Sequence, residues 1–146
     1  MDNLVIVHFS PIELYPPVQN LIAELSKLNC RVTLITTYHA NGSLNFTINN
    51  ERIRIMRSGK VKSGMNFFLK SFNYLLYYGT AIIILIRKKP VKVLYFETLS
   101  SFPVCLYKKF IRSKVGVFVH YHEYSSLNQY KNGMRLEYIF LSNFLK

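Results

Sequence analysis

Short apolar runs alternate with stretches of helical periodicity along this chain. Leu4 to Phe9 is a continuous hydrophobic run, the pattern of a strand buried on both faces. Ser10, Pro11, Pro16 and Pro17 interrupt it and stiffen the loop that holds Glu13 and Tyr15. A helix is expected from about Pro17, since proline suits a first helical turn. Val18, Leu21, Ile22, Leu25 and Leu28 then recur at helical spacing, and Asn29 predicts a left-handed stop. Arg31 to Thr37 reads as the second strand. Strand, helix and strand in so short a space form a βαβ unit, so the two strands should run parallel.

Tyr38 to Glu51 is polar, with Asn41-Gly42 and Asn49-Asn50 as turn signals. Ile53 to Arg57 alternates apolar and basic residues, as a short half-exposed strand does. Ser58 to Gly64 is a loop with two lysines. Met65 to Lys89 is the longest helical segment and is mostly apolar. Its clean run, Tyr74 to Ile86, is shorter than the roughly 20 residues of a membrane span. Lys70, flanked by Asn66 and Asn73, interrupts the first half. A helix packed in or on the domain is therefore expected. Gly79 marks a possible kink or close approach, Arg87 to Lys89 suit the helix carboxyl end, and Pro90 stops it. Val91 to Phe96 is a strand, and Ser100 or Ser101 is expected to cap a helix reaching Ile111.

Val115 to Ser125, VGVFVHYHEYS, looks like a central strand that turns polar within two residues. A last amphipathic helix is expected from Met134 to Lys146. The sum is a single domain over residues 1–146: a doubly wound, mainly parallel, Rossmann-like α/β sheet with helices on both faces. Its strands would end at Phe9, Thr37, Phe96 and Val119. Ligands of such sheets bind beyond the carboxyl ends of the strands. Ser10, Glu13, Tyr38, His39, Glu97, Thr98 and the segment from His120 to Tyr124 would line that rim. His122 beside Glu123 is the pair best suited to chemistry, since a carboxylate can orient an imidazole as base or donor. A His- and Tyr-rich turn can equally be a hydrogen-bonded loop without chemistry. His8, inside the first strand, reads as a core histidine.

Charge changes the picture next. Nineteen Lys and Arg against seven Asp and Glu give a formal charge of +12, which favours anionic partners. Three basic clusters, at Arg52 to Lys62, Arg87 to Lys92 and Lys108 to Lys114, lie beside apolar helices. That arrangement suits an anionic membrane surface, although a merely solvated basic face reads the same way. No recognition helix, RNP motif or zinc finger accompanies them, so nucleic acid is not an expected partner. SPIELYPP after the first strand is no GxGxxG, and SGKVKSG is no Walker loop. No compact ligand spacing joins the histidines, so neither metal nor cofactor is expected. Cys30 and Cys105 read as core thiols of a reducing compartment. The opening MDNLVIVHFSP carries neither a basic region nor a small-residue cleavage site, so no signal peptide is expected.

Three segments carry a family resemblance: VIVHFSPIELYPPVQNLIAELSKLNCRVTLITT, KPVKVLYFETLSSFPVCLYKKF and KVGVFVHYHEYSS. In order and spacing they resemble the amino-terminal domain of a family 4 glycosyltransferase, a GT-B type enzyme with two Rossmann-like domains that builds bacterial surface polysaccharides. The resemblance implies the acceptor-binding half of a sugar-nucleotide-dependent transferase. His122 and Glu123 would be catalytic. Ser10, Glu13, Tyr15, Glu97 and His120 would bind a lipid-linked or saccharide acceptor. The glycine-rich loop usual after the first strand is replaced here by Ser10 to Pro17. The donor-binding domain, with its paired glutamates, is not found in these residues, so the chain alone is expected to be inactive. The protein is expected to be cytoplasmic and peripheral on the inner membrane face. The rival reading is a non-catalytic basic α/β domain that docks to a membrane or a partner chain.

Overall fold

The computed structural model describes residues 3–28, 30–39, 46–60 and 64–120. Five strands form one sheet: β1 (Asn3–His8), β2 (Arg31–Thr36), β3 (Ile53–Arg57), β4 (Lys92–Phe96) and β5 (Gly116–His120). Their order is β3-β2-β1-β4-β5 and every pairing is parallel. Between them run α1 (Pro16–Lys27), α2 (Phe67–Lys88) and α3 (Glu97–Leu106), the last continued by a π-type turn, Tyr107–Ile111. The fold is the doubly wound, Rossmann-like α/β architecture that the alternating pattern predicts.

Side chains of a strand alternate between the two faces of a sheet, and β1 shows what that does here. Ile6 joins the cluster under α1, with Val18, Ile22 and Leu34. Val5 and Val7 join the cluster under α2 and α3, with Tyr77, Leu85, Val93 and Val104. Both faces of β1 are thus covered, which is why its apolar run has no polar alternation. The chain builds outward from β1 through β2 to β3, then crosses back over α2 to β4. The topological switch point lies between β1 and β4.

Several expectations need correction. The Val115–Val119 run is not a central strand buried on both faces. β5 pairs with β4 alone among the described residues, and Phe118 and Val119 are 53% and 47% exposed. An apolar run signals burial only where a second neighbour and both layers cover it. Ser100 and Ser101 do not cap α3, which starts at Glu97 with Phe96 in the cap position. Gly79 admits no close neighbour, because a Cβ built there meets nothing within 4 Å. α1 stops at Lys27 with Leu28 extended rather than at Asn29, which lies outside the described residues. α2 closes on Lys89 in the left-handed conformation, directly before Pro90. Cys30 and Cys105 are half-buried free thiols rather than core residues. Tyr121 to Tyr124 and the helix expected from Met134 also lie outside the described residues.

Candidate functional site: the rim at the switch point

β1 and β4 end side by side, with His8 paired to Phe96. The chain leaves them in different directions, β1 into a loop that leads to α1 and β4 straight into α3. Where two strands diverge in this way an open α/β sheet leaves a crevice, here the notch, and polar groups link its two sides. The Phe9 amide donates to Ser100 Oγ at 2.8 Å, inside the core. Ser10 Oγ donates to Glu97 Oε2 at 3.2 Å, across the switch point itself. Thr36 Oγ1 donates to the Ser10 carbonyl at 2.7 Å and so fixes the loop from the β2 side. Glu97 and Ser10 are both half-buried.

Glu97 stands apart in its backbone as well. Its φ is +65°, one of two non-glycine residues with positive φ among the described residues. The left-handed region costs an L-residue roughly 1–2 kcal/mol, and such strain clusters at functional sites. Nearby, the Tyr77 hydroxyl is buried, with no hydrogen bond to a described residue, and Ser100 and Glu97 are its polar neighbours. Burial, reinforced by the Tyr78 and Glu97 charges, pushes this phenol far up, and the nearby Ser100 hydroxyl opposes the shift only in part. Tyr77 therefore stays neutral and can only donate or accept a hydrogen bond.

An aromatic line runs beneath the rim. Tyr15 lies 4.6 Å from His8, His8 5.7 Å from Phe96, and Phe96 5.0 Å from His120, ring centre to ring centre. His8 is fully buried in this line, as its place in the first strand suggests. His120, at the end of β5, is exposed.

Glu13 sits on the other side of the loop. Its Oε1 accepts from Arg57 Nη2 at 2.7 Å and from the Phe46 amide at 3.1 Å. The two side chains are 15% and 4% exposed for Arg57 and Glu13. Burial alone would raise the Glu13 carboxyl. The Arg57 guanidinium and the Glu13 and Phe46 amides outweigh burial and hold it below the ordinary carboxylate range. Gln19 Nε2 donates to the carbonyls of Ile12 and Glu13 and completes the loop's framework.

The structure thus brings Ser10, Glu97 and His120 to the ends of three adjacent strands. Glu13 and Tyr15 lie behind the loop, where they hold its shape. His122 and Glu123 lie outside the described residues. Sequence reasoning missed Ser100, Tyr77 and Arg57. Ser100 was misread because a serine after a strand so often caps a helix, whereas here it bonds the neighbouring strand's end. Tyr77 carried only a core signal. Arg57 could have been found as the cation closing a strand opposite a loop carboxylate. No group of His, Cys, Asp or Glu among the described residues could hold a metal ion. The notch therefore offers a strained carboxylate, a serine hydroxyl and an imidazole, a set suited to gripping the hydroxyls of a polar ligand. No protein-family model matches the sequence, and no curated protein matches it, so the function is read from this geometry.

Proposed function

We propose that this domain is the acceptor-binding half of a sugar-nucleotide-dependent glycosyltransferase of the bacterial surface-polysaccharide type. One observation carries the reading: the Ser10–Glu97 hydrogen bond across the β1/β4 switch point, with Glu97 held at positive φ. Open α/β sheets bind ligands at that position. A carboxylate kept in a costly conformation there, beside a hydroxyl, is arranged to accept from a sugar hydroxyl.

In this reading the donor sugar-nucleotide sits on a second Rossmann-like domain that faces the rim. The acceptor is a saccharide, free or lipid-linked, held by Ser10, Glu97 and His120 with the loop framed by Glu13 and Tyr15. Its hydroxyl attacks the anomeric carbon, the bond from that carbon to the diphosphate breaks, and the nucleotide diphosphate leaves. His122, oriented by Glu123, takes the hydroxyl proton or contacts the transferred sugar. No metal or cofactor is assigned to this half.

Saturation-transfer NMR on the purified chain with a panel of alkyl glycosides tests the reading. Saturation should reach the sugar-ring protons of at least one glycoside and vanish with Glu97→Gln. Glu97→Gly separates site from scaffold. Glycine removes the positive-φ penalty, so stability should hold or rise by about 1 kcal/mol while the sugar signal is lost. A panel that never receives saturation, or a Glu97→Gln variant that binds like the parent, would remove the reading. Joined to a donor domain, His122→Ala should lower transfer about 10²–10⁴-fold, and the 146-residue chain alone should transfer nothing.

A further inference from the structure

α2 carries apolar residues on its packed face and on the opposite one, and only 28% of its most hydrophobic window is buried. A helix of that kind is normally enclosed. Its inner face is committed: Tyr77, Ala81, Ile84 and Leu85 pack into the core under the sheet. The opposite face presents Phe68, Phe72, Leu75, Ile83 and Ile86, which are 84%, 57%, 69%, 50% and 43% exposed. Their spacing keeps them on one side, and at 1.5 Å per residue the stripe runs about 27 Å. Tyr74 stacks on Phe9 at the carboxyl end of β1, at 4.9 Å. The residues before Tyr74 therefore carry the helix about 10 Å past the rim, and Phe67 to Lys70 are all exposed.

The charge carried by this part of the sequence has one sign. Between Glu51 and Glu97 the sequence holds ten Lys or Arg and no Asp or Glu. At the carboxyl end of α2, Arg54, Arg87 and Lys88 line an open cavity of about 360 Å³, with Met56 and Ile84 as its apolar wall. Three cations converging at the carboxyl end of α2, where the stripe ends, fit a headgroup phosphate. A second copy of the chain fits badly, because each copy brings +12 and the same cationic margin. A membrane span fits badly too, because the inner face of α2 is built into the sheet.

We infer that the outer face of α2 docks on an anionic lipid bilayer, with the Arg54–Arg87–Lys88 cavity receiving a headgroup phosphate. The helix lies along the surface, its inner face still packed on the sheet. Its projecting amino-terminal turns bring the carboxyl rim close to the bilayer, where a lipid-linked acceptor could reach the notch. The docking itself does not depend on the acceptor reading, so Glu97→Gln should bind vesicles as the parent does.

The chain has no tryptophan, so one introduced tryptophan reports on one place. Phe68→Trp should show solvent-exposed emission in buffer and a blue shift with phosphatidylglycerol-containing vesicles. It should show little shift with pure phosphatidylcholine. Leu28→Trp, exposed at the end of α1 on the other side of the sheet, should not respond. In flotation assays, Phe68→Ser/Phe72→Ser/Leu75→Ser should lower partitioning at least about tenfold. Arg54→Gln/Arg87→Gln/Lys88→Gln should lower it roughly fivefold per cation, and high salt should do the same. Circular dichroism checks that the variants fold, and if the triple serine variant does not, the tryptophan pair decides. No blue shift at position 68, an equal shift at position 28, or emission already blue-shifted without vesicles overturns the proposal. A dimer seen by ultracentrifugation and dispersed by the serine variant, without vesicle affinity in the parent, assigns the face to a second copy instead.

Discussion

Glu13→Ala removes the acceptor of a buried ion pair and tests what this carboxylate is for. Arg57 Nη2 and the Phe46 amide both donate to Glu13 Oε1. Without it, a guanidinium that is only 15% exposed keeps one remaining acceptor, the Phe46 carbonyl at 2.9 Å. Breaking a buried pair by removing one partner costs about 3–5 kcal/mol. Arg57 retains that carbonyl and some water, so the lower end applies, about 3 kcal/mol. For a domain of this size that corresponds to a fall in Tm of roughly 6–12 °C. Urea unfolding followed by circular dichroism at pH 7 measures it directly.

Arg57→Met should cost less, because it removes the buried charge along with its partner, and the double variant should be less destabilised than the sum of the two singles. A coupling of about 2 kcal/mol is expected from the cycle. The pH dependence carries a definite sign. The Glu13 carboxyl is held below its ordinary value of 4.5 in the fold. Its contribution is therefore fully present above that value and is lost as pH falls through the depressed one. The gap between parent and Glu13→Ala should narrow in acid and be constant above neutrality. A Glu13→Ala variant within about 0.5 kcal/mol of the parent at pH 7 would refute the structural role. It would return Glu13 to the set of residues free to meet a ligand.

Gly79→Ala should stabilise the domain by about 0.5–1 kcal/mol in the same assay, since a Cβ there meets nothing within 4 Å; a loss of stability would mean that the position is covered. Ser100→Ala should cost about 1–3 kcal/mol, because it leaves the buried Phe9 amide without its acceptor, and an unchanged midpoint would deny that bond. Burial raises the Cys105 thiol, with Lys108 opposing it only in part, so iodoacetamide should alkylate Cys105 more slowly than free cysteine at neutral pH and catch up as pH rises; a rate above that of free cysteine would contradict the raised thiol.

The sheet was readable because β1 and β2 are covered on both faces, and burial there leaves continuous apolar runs. Helix α1 was readable because it has one dry face, which fixes a period. β5 was misplaced by the same logic. Val117, Phe118 and Val119 are as apolar as a central strand, but burial depends on neighbours, and among the described residues β5 has β4 alone beside it. α2 was read as a packed or surface-docked helix from Lys70 and its asparagines. Periodicity could not say how much of it is exposed, because apolar residues stand on its outer face as well as on its packed one.

The rim divides along a similar line. Polar residues that follow buried strands were legible as a group, and Ser10, Glu97 and His120 do stand at adjacent strand ends. What no single sequence states is pairing. Glu13 and Glu97 are both carboxylates in loops after strands, and nothing local separates them. Their roles come from what the fold sets opposite each. Glu13 meets Arg57, 44 residues on, and the pair is sealed from water. Among the described residues, Glu97 bonds through its side chain to a serine hydroxyl, 87 residues away, at a half-buried position. A neutralised carboxylate frames a loop. One that meets no cation among the described residues and sits at positive φ is left to meet whatever enters the notch. That contrast, between two glutamates of the same local type, is the physical basis for placing the acceptor at Glu97 rather than at Glu13.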